Sequence, residues 1–225
     1  VIERLSKLSR PVRERRAKRE VETRERLLEA ALELFAEHGF RKVTVRDISR
    51  RARANLAAVS YHFGDKLGLY TEIVESAISM MRSFSDLSTR SGQGASPEEK
   101  LRHFVREFLP RVADPQGKAA SMQRLMRHEM AEPTPLLRRV VEQGIVPRTK
   151  YLAEVISELM GCPADDERVR LSVMSVQAQC LFFSRDRARR ALFEAYFPTK
   201  EPDLMRTADY IADFSIAGVR ALARR

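Results

Sequence analysis

Apolar residues recur along this chain at the three- and four-residue spacing of helix faces, segment after segment. Leu27, Leu28, Ala31, Leu34 and Phe35 mark one face of a helix over 22–38, with Thr23 as its cap and Gly39 in a left-handed stop position behind it. Thr44 followed by Asp47 predicts a capping box at the start of a short helix, 44–51, that turns Val45 and Ile48 inward. After a break at 52–55, Asn55 is placed to cap a second short helix, 56–62, with Leu56, Val59 and Phe63 along it. Gly64, Asp65 and Lys66 interrupt the pattern before a long helix to about residue 85. A polar loop is expected at 86–97, then helices near 98–112, 118–131, 134–160, 165–184, 186–195 and 203–223. Pro147 is expected to kink or split the 134–160 segment. No run alternates apolar and polar residues between turn dipeptides, so the predicted fold class is all-α.

Charge sharpens this picture. The chain has 225 residues, 44% of them hydrophobic, and carries 41 Lys and Arg against 31 Asp and Glu. That is enough apolar material for a core, which excludes wholesale disorder. No stretch approaches the length of apolar sequence that a membrane-spanning helix needs. The basic excess is concentrated in the first third, above all in the first twenty residues. Such an arm suggests a polyanion at one end of the molecule. Cys162 and Cys180 are too few for a disulfide framework or a zinc site, so a reducing cytoplasm is expected. The arginine-rich beginning is unlike a secretory signal.

Two short helices joined by a tight turn, after a longer first helix, form a helix-turn-helix. The second, 56–62, is too short to build a core and offers Ser60, Tyr61 and His62 beside the small Ala57 and Ala58. Small residues let backbone approach base edges, and hydroxyls and imidazole reach phosphate. The run from Thr23 to Tyr70, TRERLLEAALELFAEHGFRKVTVRDISRRARANLAAVSYHFGDKLGLY, resembles the DNA-binding region of the tetracycline-repressor (TetR) family of bacterial transcription regulators. The Phe-x-x-x-Gly-Phe ending of the first helix, Thr44 before the Ile48 helix, and VSYHFGDKLGLY carry the likeness. Residues 127–161 resemble the C-terminal domain of the CecR-type subgroup.

The resemblance implies roles for individual positions. Thr44 and Arg46 would bind phosphate. Asn55, Leu56, Ala57 and Ala58 would open the recognition helix near base edges. Tyr61, His62 and Lys66 would hold further phosphates. Where the family commonly has Ala-Gly-Val-Ser or Ala-Gly-Val-Asn, this chain has Ala52-Arg53-Ala54-Asn55. A non-glycine residue there is either strained or forces a different turn, and Arg53 is expected to add a phosphate contact. Arg10, Arg13, Arg15, Arg16, Lys18 and Arg19 would track phosphates or enter a minor groove.

The remainder has no catalytic constellation: His128-Glu129 lacks the second His of a zinc motif, and neither GxSxG nor a phosphate-binding glycine loop occurs. No enzyme activity, cofactor or metal is expected. The resemblance implies two domains, 1–66 for DNA and 67–225 for effector binding and dimerisation. A pocket for a small, partly apolar effector is expected from Phe84, Phe104, Phe108, Met122, Met126, His128, Met174, Gln177 and Phe183, each of which taken alone reads more readily as core. The segment 169–184 is apolar nearly all round and needs cover on several sides. Val169, Val173, Val176, Tyr210, Phe214 and Ala217 are the expected homodimer face, with burial inside one subunit the alternative. The expected function is a ligand-responsive, operator-binding repressor. A ligand-independent DNA-binding dimer and an enzyme with an accessory DNA-binding domain are the competing readings.

Overall fold

A computed structural model describes residues 2–91, 94–113, 117–183, 195 and 203–224, with side chains from Lys18 onward except those of 88–91. The expected helix 186–195, apart from Ala195, and the side chains of Arg10, Arg13, Arg15 and Arg16 lie outside the described residues. The helices delimited among the described residues are α1 (Ile2–Lys42), α2 (Val45–Arg51), α3 (Leu56–Phe63), α4 (Lys66–Ser91), α5 (Pro97–Ala113), α6 (Gly117–Ala131), α7 (Leu137–Val140), α8 (Val146–Met160), α9 (Glu167–Phe182) and α10 (Leu204–Ala223). No strand occurs among the described residues.

The chain forms two compact units. One contains residues 1–77 together with 121–137; the other contains 78–120 and 138–225. Helix α4 therefore contributes to both, and most of α6 belongs with the N-terminal unit although it lies far along the chain.

In the first unit, Leu27, Ala31 and Phe35 of α1 are buried with Val43, Ile48, Ala52, Val59 and Leu69. Gly39 breaks α1 at φ 79, as expected, but the helix begins long before Thr23, so Thr23 is no cap. Phe35, Phe40 and Tyr70 form an aromatic cluster, with centroids 4.7–5.8 Å apart. The buried Tyr70 hydroxyl donates to Glu129 Oε2 at 2.6 Å, while Glu129 Oε1 accepts from Thr134 N and Oγ1 at 3.0 and 2.8 Å. Burial and this carboxylate raise the Tyr70 phenol above its ordinary pKa.

In the second unit, α5, α8, α9 and α10 share one core that includes Leu101, Phe104, Phe108, Leu152, Ile156, Val169, Val173, Val176, Ile211 and Ala212. Ion pairs lace α5 to α10: Arg106 to Asp209 at 2.6 Å, Arg102 to Asp213, and Arg220 to Glu98. Pro147 does split its segment, because it has no amide proton to donate and its ring crowds the preceding turn. The chain takes a π turn over Val141–Ile145 and Pro147 falls in the first turn of α8. Gly144 in that turn approaches Met81 so closely that a Cβ would lie 2.7 Å from its sulfur. The expected loop at 86–97 is shorter than predicted, since α4 continues to Ser91 and uses Leu87 as a helical residue. The polar stretch around it has no proline until Pro97 to stop the helix.

Candidate nucleic-acid interface

Local chemistry builds the two short helices. Thr44 Oγ1 accepts from Asp47 N at 3.2 Å, and Thr44 N donates back to Asp47 Oδ2 at 3.1 Å, completing the capping box. These bonds from the Thr44 side chain and backbone, with Arg50 nearby, hold the Asp47 carboxyl below its ordinary range. Helix α2 ends in a Schellman motif: Ala54 N donates to Ser49 O at 2.9 Å and Arg53 N to Arg50 O at 3.2 Å. That motif requires a left-handed residue, and Arg53 supplies it at φ 50, the only non-glycine residue with positive φ among those described. The strained alternative therefore holds in the turn.

Asn55 Oδ1 accepts from Ala57 N at 2.9 Å and caps α3, leaving the amide NH2 of its exposed side chain pointing away from that bond. Along α3, Val59 is fully buried while Leu56, Ala57, Ser60 and Tyr61 are exposed. Tyr61 is 72% exposed and Leu56 47%, so a large apolar side chain and a phenol stand on the outer face. A helix that spends one residue on the core and turns its small, hydroxyl and aromatic residues outward is shaped for a groove. Ala58 and His62 are half-buried, with the His62 ring 4.9 Å from that of Tyr61. Thr44, Arg46 and Arg53 are exposed around this face, and Lys18 and Arg19 are exposed on α1.

Lys66 departs from expectation. Its Nζ donates to Phe40 O and Val43 O, each at 3.0 Å, and lies 4.3 Å from the Phe40 ring centroid. Two of its three protons are thus committed to the end of α1, and its role is to hold α4 against that end. Gly68 is a residue that the motif reading missed. A Cβ there would lie 2.0 Å from the Phe63 carbonyl oxygen, so the close passage of α3 into α4 depends on glycine. Asp65 Oδ1 accepts from Gly68 N at 2.7 Å and caps α4.

The expected effector residues are divided between the two units. Phe84, Phe104, Phe108, Gln177 and Phe183 belong to the second unit, whereas Met122, Met126 and His128 lie on the part of α6 that belongs to the first. His128 packs against Gly39, its Nδ1 being 3.2 Å from where a Cβ would sit. Met174 is 65% exposed on the outside of α9 and lines no interior. The expected dimer residues also divide. Val169, Val173 and Val176 are buried in the chain's own core, so burial within one subunit accounts for them. Tyr210, Phe214 and Ala217 are exposed on α10, and the outward face of α9 carries Leu171, Met174 and Ala178 instead. The spacing does not give the phase of this helix, since a segment apolar nearly all round has no polar face from which to read direction.

A capped two-helix reader with a buried anchor and an exposed outer face defines a helix-turn-helix DNA-binding protein. Residues 27–73 match the model for bacterial regulatory proteins of the tetR family, and residues 97–219 match the C-terminal domain of the HTH-type transcriptional dual regulator CecR. The chain belongs to the TetR family of transcriptional regulators and has a CecR-type C-terminal domain. It is 27% identical over 172 residues to the HTH-type transcriptional dual regulator CecR of Shigella flexneri, covering 72% of this chain and 75% of that one. It is 24% identical over 219 residues to the HTH-type transcriptional repressor NicS of Pseudomonas putida, covering 91% and 96%. A solved structure of AibR in complex with isovaleryl coenzyme A and operator DNA is similar in fold, with a TM-score of 0.61, 19% identity, and coverage of 85% and 97%.

Proposed function

We propose that this chain is a homodimeric, ligand-responsive repressor that reads operator DNA with the outer face of α3 in the bacterial cytoplasm, by binding and not by catalysis. One observation carries the reading: Asn55 caps a helix whose Leu56, Ala57, Ser60 and Tyr61 face outward over a buried Val59. In this reading, Leu56, Ala57 and Ala58 meet base edges and thymine methyls, and Asn55 adds its free amide. Thr44, Arg46, Arg53, Tyr61 and His62 hold phosphates, helped by the N-terminal arm. Lys66 offers phosphate only its third proton.

The second unit supplies the rest. Leu171, Met174 and Ala178 of α9 with Tyr210, Phe214 and Ala217 of α10 form the apolar surface that a second copy covers. Two recognition helices then meet half-sites about 34–36 Å apart, one turn of duplex. Phe84, Phe104, Phe108 and Gln177 line the effector site. The complex of the structural neighbour AibR with isovaleryl coenzyme A and operator DNA supports a ligand that acts on DNA affinity. Such a ligand changes affinity only by preferring one conformation of the dimer.

The test is selection of bound duplexes from a random pool, followed by mobility shift. A two-half-site consensus, lost on changing Leu56 or Asn55, is the expected result. Absence of any sequence preference would sink the assignment of α3.

A further inference from the structure

The second unit contains a cation with no counter-charge among the described residues. Arg148, on α8, is largely buried, and its guanidinium lies 4.5 Å from the centroid of the Phe108 ring. Its Nε proton is buried and has no hydrogen-bond partner among the described residues. One turn further along α8, the Tyr151 hydroxyl is also buried and also lacks a partner. The Tyr151 ring lies 6.3 Å from that of Phe104, and Phe84 packs against both Phe104 and Phe108 at 5.7 and 5.8 Å. Two unsatisfied polar groups thus stand three residues apart on one helix, against a wall of aromatic rings.

Among the described residues nothing neutralises the guanidinium. No ion pair joins Arg148 to a carboxylate among the described residues, in a unit where other arginines are paired with Asp and Glu. Cys180 is the ionisable neighbour of Arg148, and burial pushes its thiol up to about 12, so it is a neutral thiol at physiological pH. Burial lowers the Arg148 pKa to about 10, which still leaves the group charged in the cell. A buried, unpaired cation is costly and buried polar groups are nearly always satisfied. The pair therefore has the character of a site whose acceptor arrives from outside.

We infer that Arg148 and Tyr151 bind the carboxylate of an organic acid whose apolar body packs on Phe84, Phe104 and Phe108. The carboxylate accepts from the guanidinium and from the Tyr151 hydroxyl, and the rings take an aryl or alkyl group of matching size. Gln177, which donates to Thr149 Oγ1 at 3.3 Å beside Arg148, fixes the neighbouring turn of α8 against α9. This deepens the ligand-responsive reading and rests on it for biological meaning, but its chemistry is testable without DNA.

The experiment is calorimetric titration of the full chain with benzoate, phenylacetate, 3-phenylpropanoate and 1-naphthoate, each beside its primary amide. At least one acid is expected to bind saturably in the wild type, with its amide about 10- to 100-fold weaker, the span of a charged hydrogen bond. Arg148→Met, which replaces the cation with a flexible apolar chain, is expected to bind acid and amide alike while keeping the wild-type helical spectrum. Tyr151→Phe is expected to weaken the acid several-fold and leave the amide unchanged. The wild-type comparison of acid and amide needs no variant, so a misfolded Arg148→Met leaves the test intact. Equal affinity for acid and amide in the wild type overturns the assignment while leaving a ligand-binding protein. Failure of every acid to bind at millimolar concentration overturns it as well. Neither result bears on operator recognition, which the mobility shift measures separately.

Discussion

Arg53 occupies the one left-handed position among the described non-glycine residues, and the Schellman bonds at the end of α2 hold it there. Left-handed backbone costs an L-residue roughly 1–2 kcal/mol, whereas glycine costs about 0.5–1 kcal/mol in chain entropy. Arg53→Gly is therefore expected to raise the stability of the first unit by up to about 1 kcal/mol, and Arg53→Val to lower it, both read from urea midpoints. If glycine weakens DNA binding while it stabilises the fold, the guanidinium contacts phosphate. Gly68 is the opposite case. Its missing Cβ makes room for the Phe63 carbonyl oxygen, and that neighbour is backbone that cannot rotate away. Gly68→Ala is expected to cost about 1–3 kcal/mol, the range of overpacking, and to abolish DNA binding with it. Tyr70→Phe removes one donor to the buried Glu129 and is expected to cost about 1–3 kcal/mol in thermal or chemical unfolding.

At the scale of elements, acids at helix starts give the fold a defined response to pH. Asp166 caps α9 through Arg168 N at 2.8 Å, and its bonds from the Arg168 side chain and backbone bring its carboxyl to about 2. In the unfolded chain an aspartate titrates near 3.9. Its folded pKa is depressed, so its contribution is complete above about pH 4 and disappears as pH falls through about 2. Asp166→Asn is expected to lie below the wild type in stability at pH 5 and to converge with it near pH 2. Asp47 and Asp209, both depressed by hydrogen-bonded partners, act in the same direction.

The same elements show what sequence makes legible. The capping box, the Asn55 cap and the Gly39 stop are short-range chemistry between neighbours, and each stands where Thr44, Asp47, Asn55 and Gly39 predict. Val59 is inward because the hydrophobic spacing of a short helix leaves it no other face. Lys66 was opaque, since its acceptors are backbone carbonyls 23 and 26 residues earlier, which no side-chain pattern reveals. Helix α9 misled for a related reason: with valines on one side and Leu171 and Met174 on the other, composition cannot say which side is solvent. The orphaned donors of Arg148 and Tyr151 are equally invisible in a sequence, because they are defined by what does not surround them.

For the molecule as a whole, association is expected to be an assembly of two chains through α9 and α10. Phe214→Glu or Met174→Glu would place charge on the exposed apolar face without touching the core beneath it. Either is expected to shift the mass in light scattering from twice 25.8 kDa toward 25.8 kDa with little loss of helicity. DNA affinity is expected to fall linearly in log–log plots against salt, with a slope near −0.9 for each phosphate neutralised. Deleting the arm before Lys18 would make that slope shallower while leaving the preferred sequence alone. A monomer in the wild type, or a slope indifferent to the arm, would count against the arrangement.

The non-contiguous make-up of the first unit has a practical consequence for anyone who cuts the gene. A fragment ending at Ala77 keeps the whole reader, from α1 through α3, and looks self-sufficient on paper. It also discards Leu125, Met122 and Glu129, which baser truncation rules would assign to the regulatory half. Such a piece exposes the underside of α4 and leaves the Tyr70 phenol facing water, and it should precipitate where the intact polypeptide stays dissolved. Grafting residues 121–137 back through a flexible tether is the way to recover it.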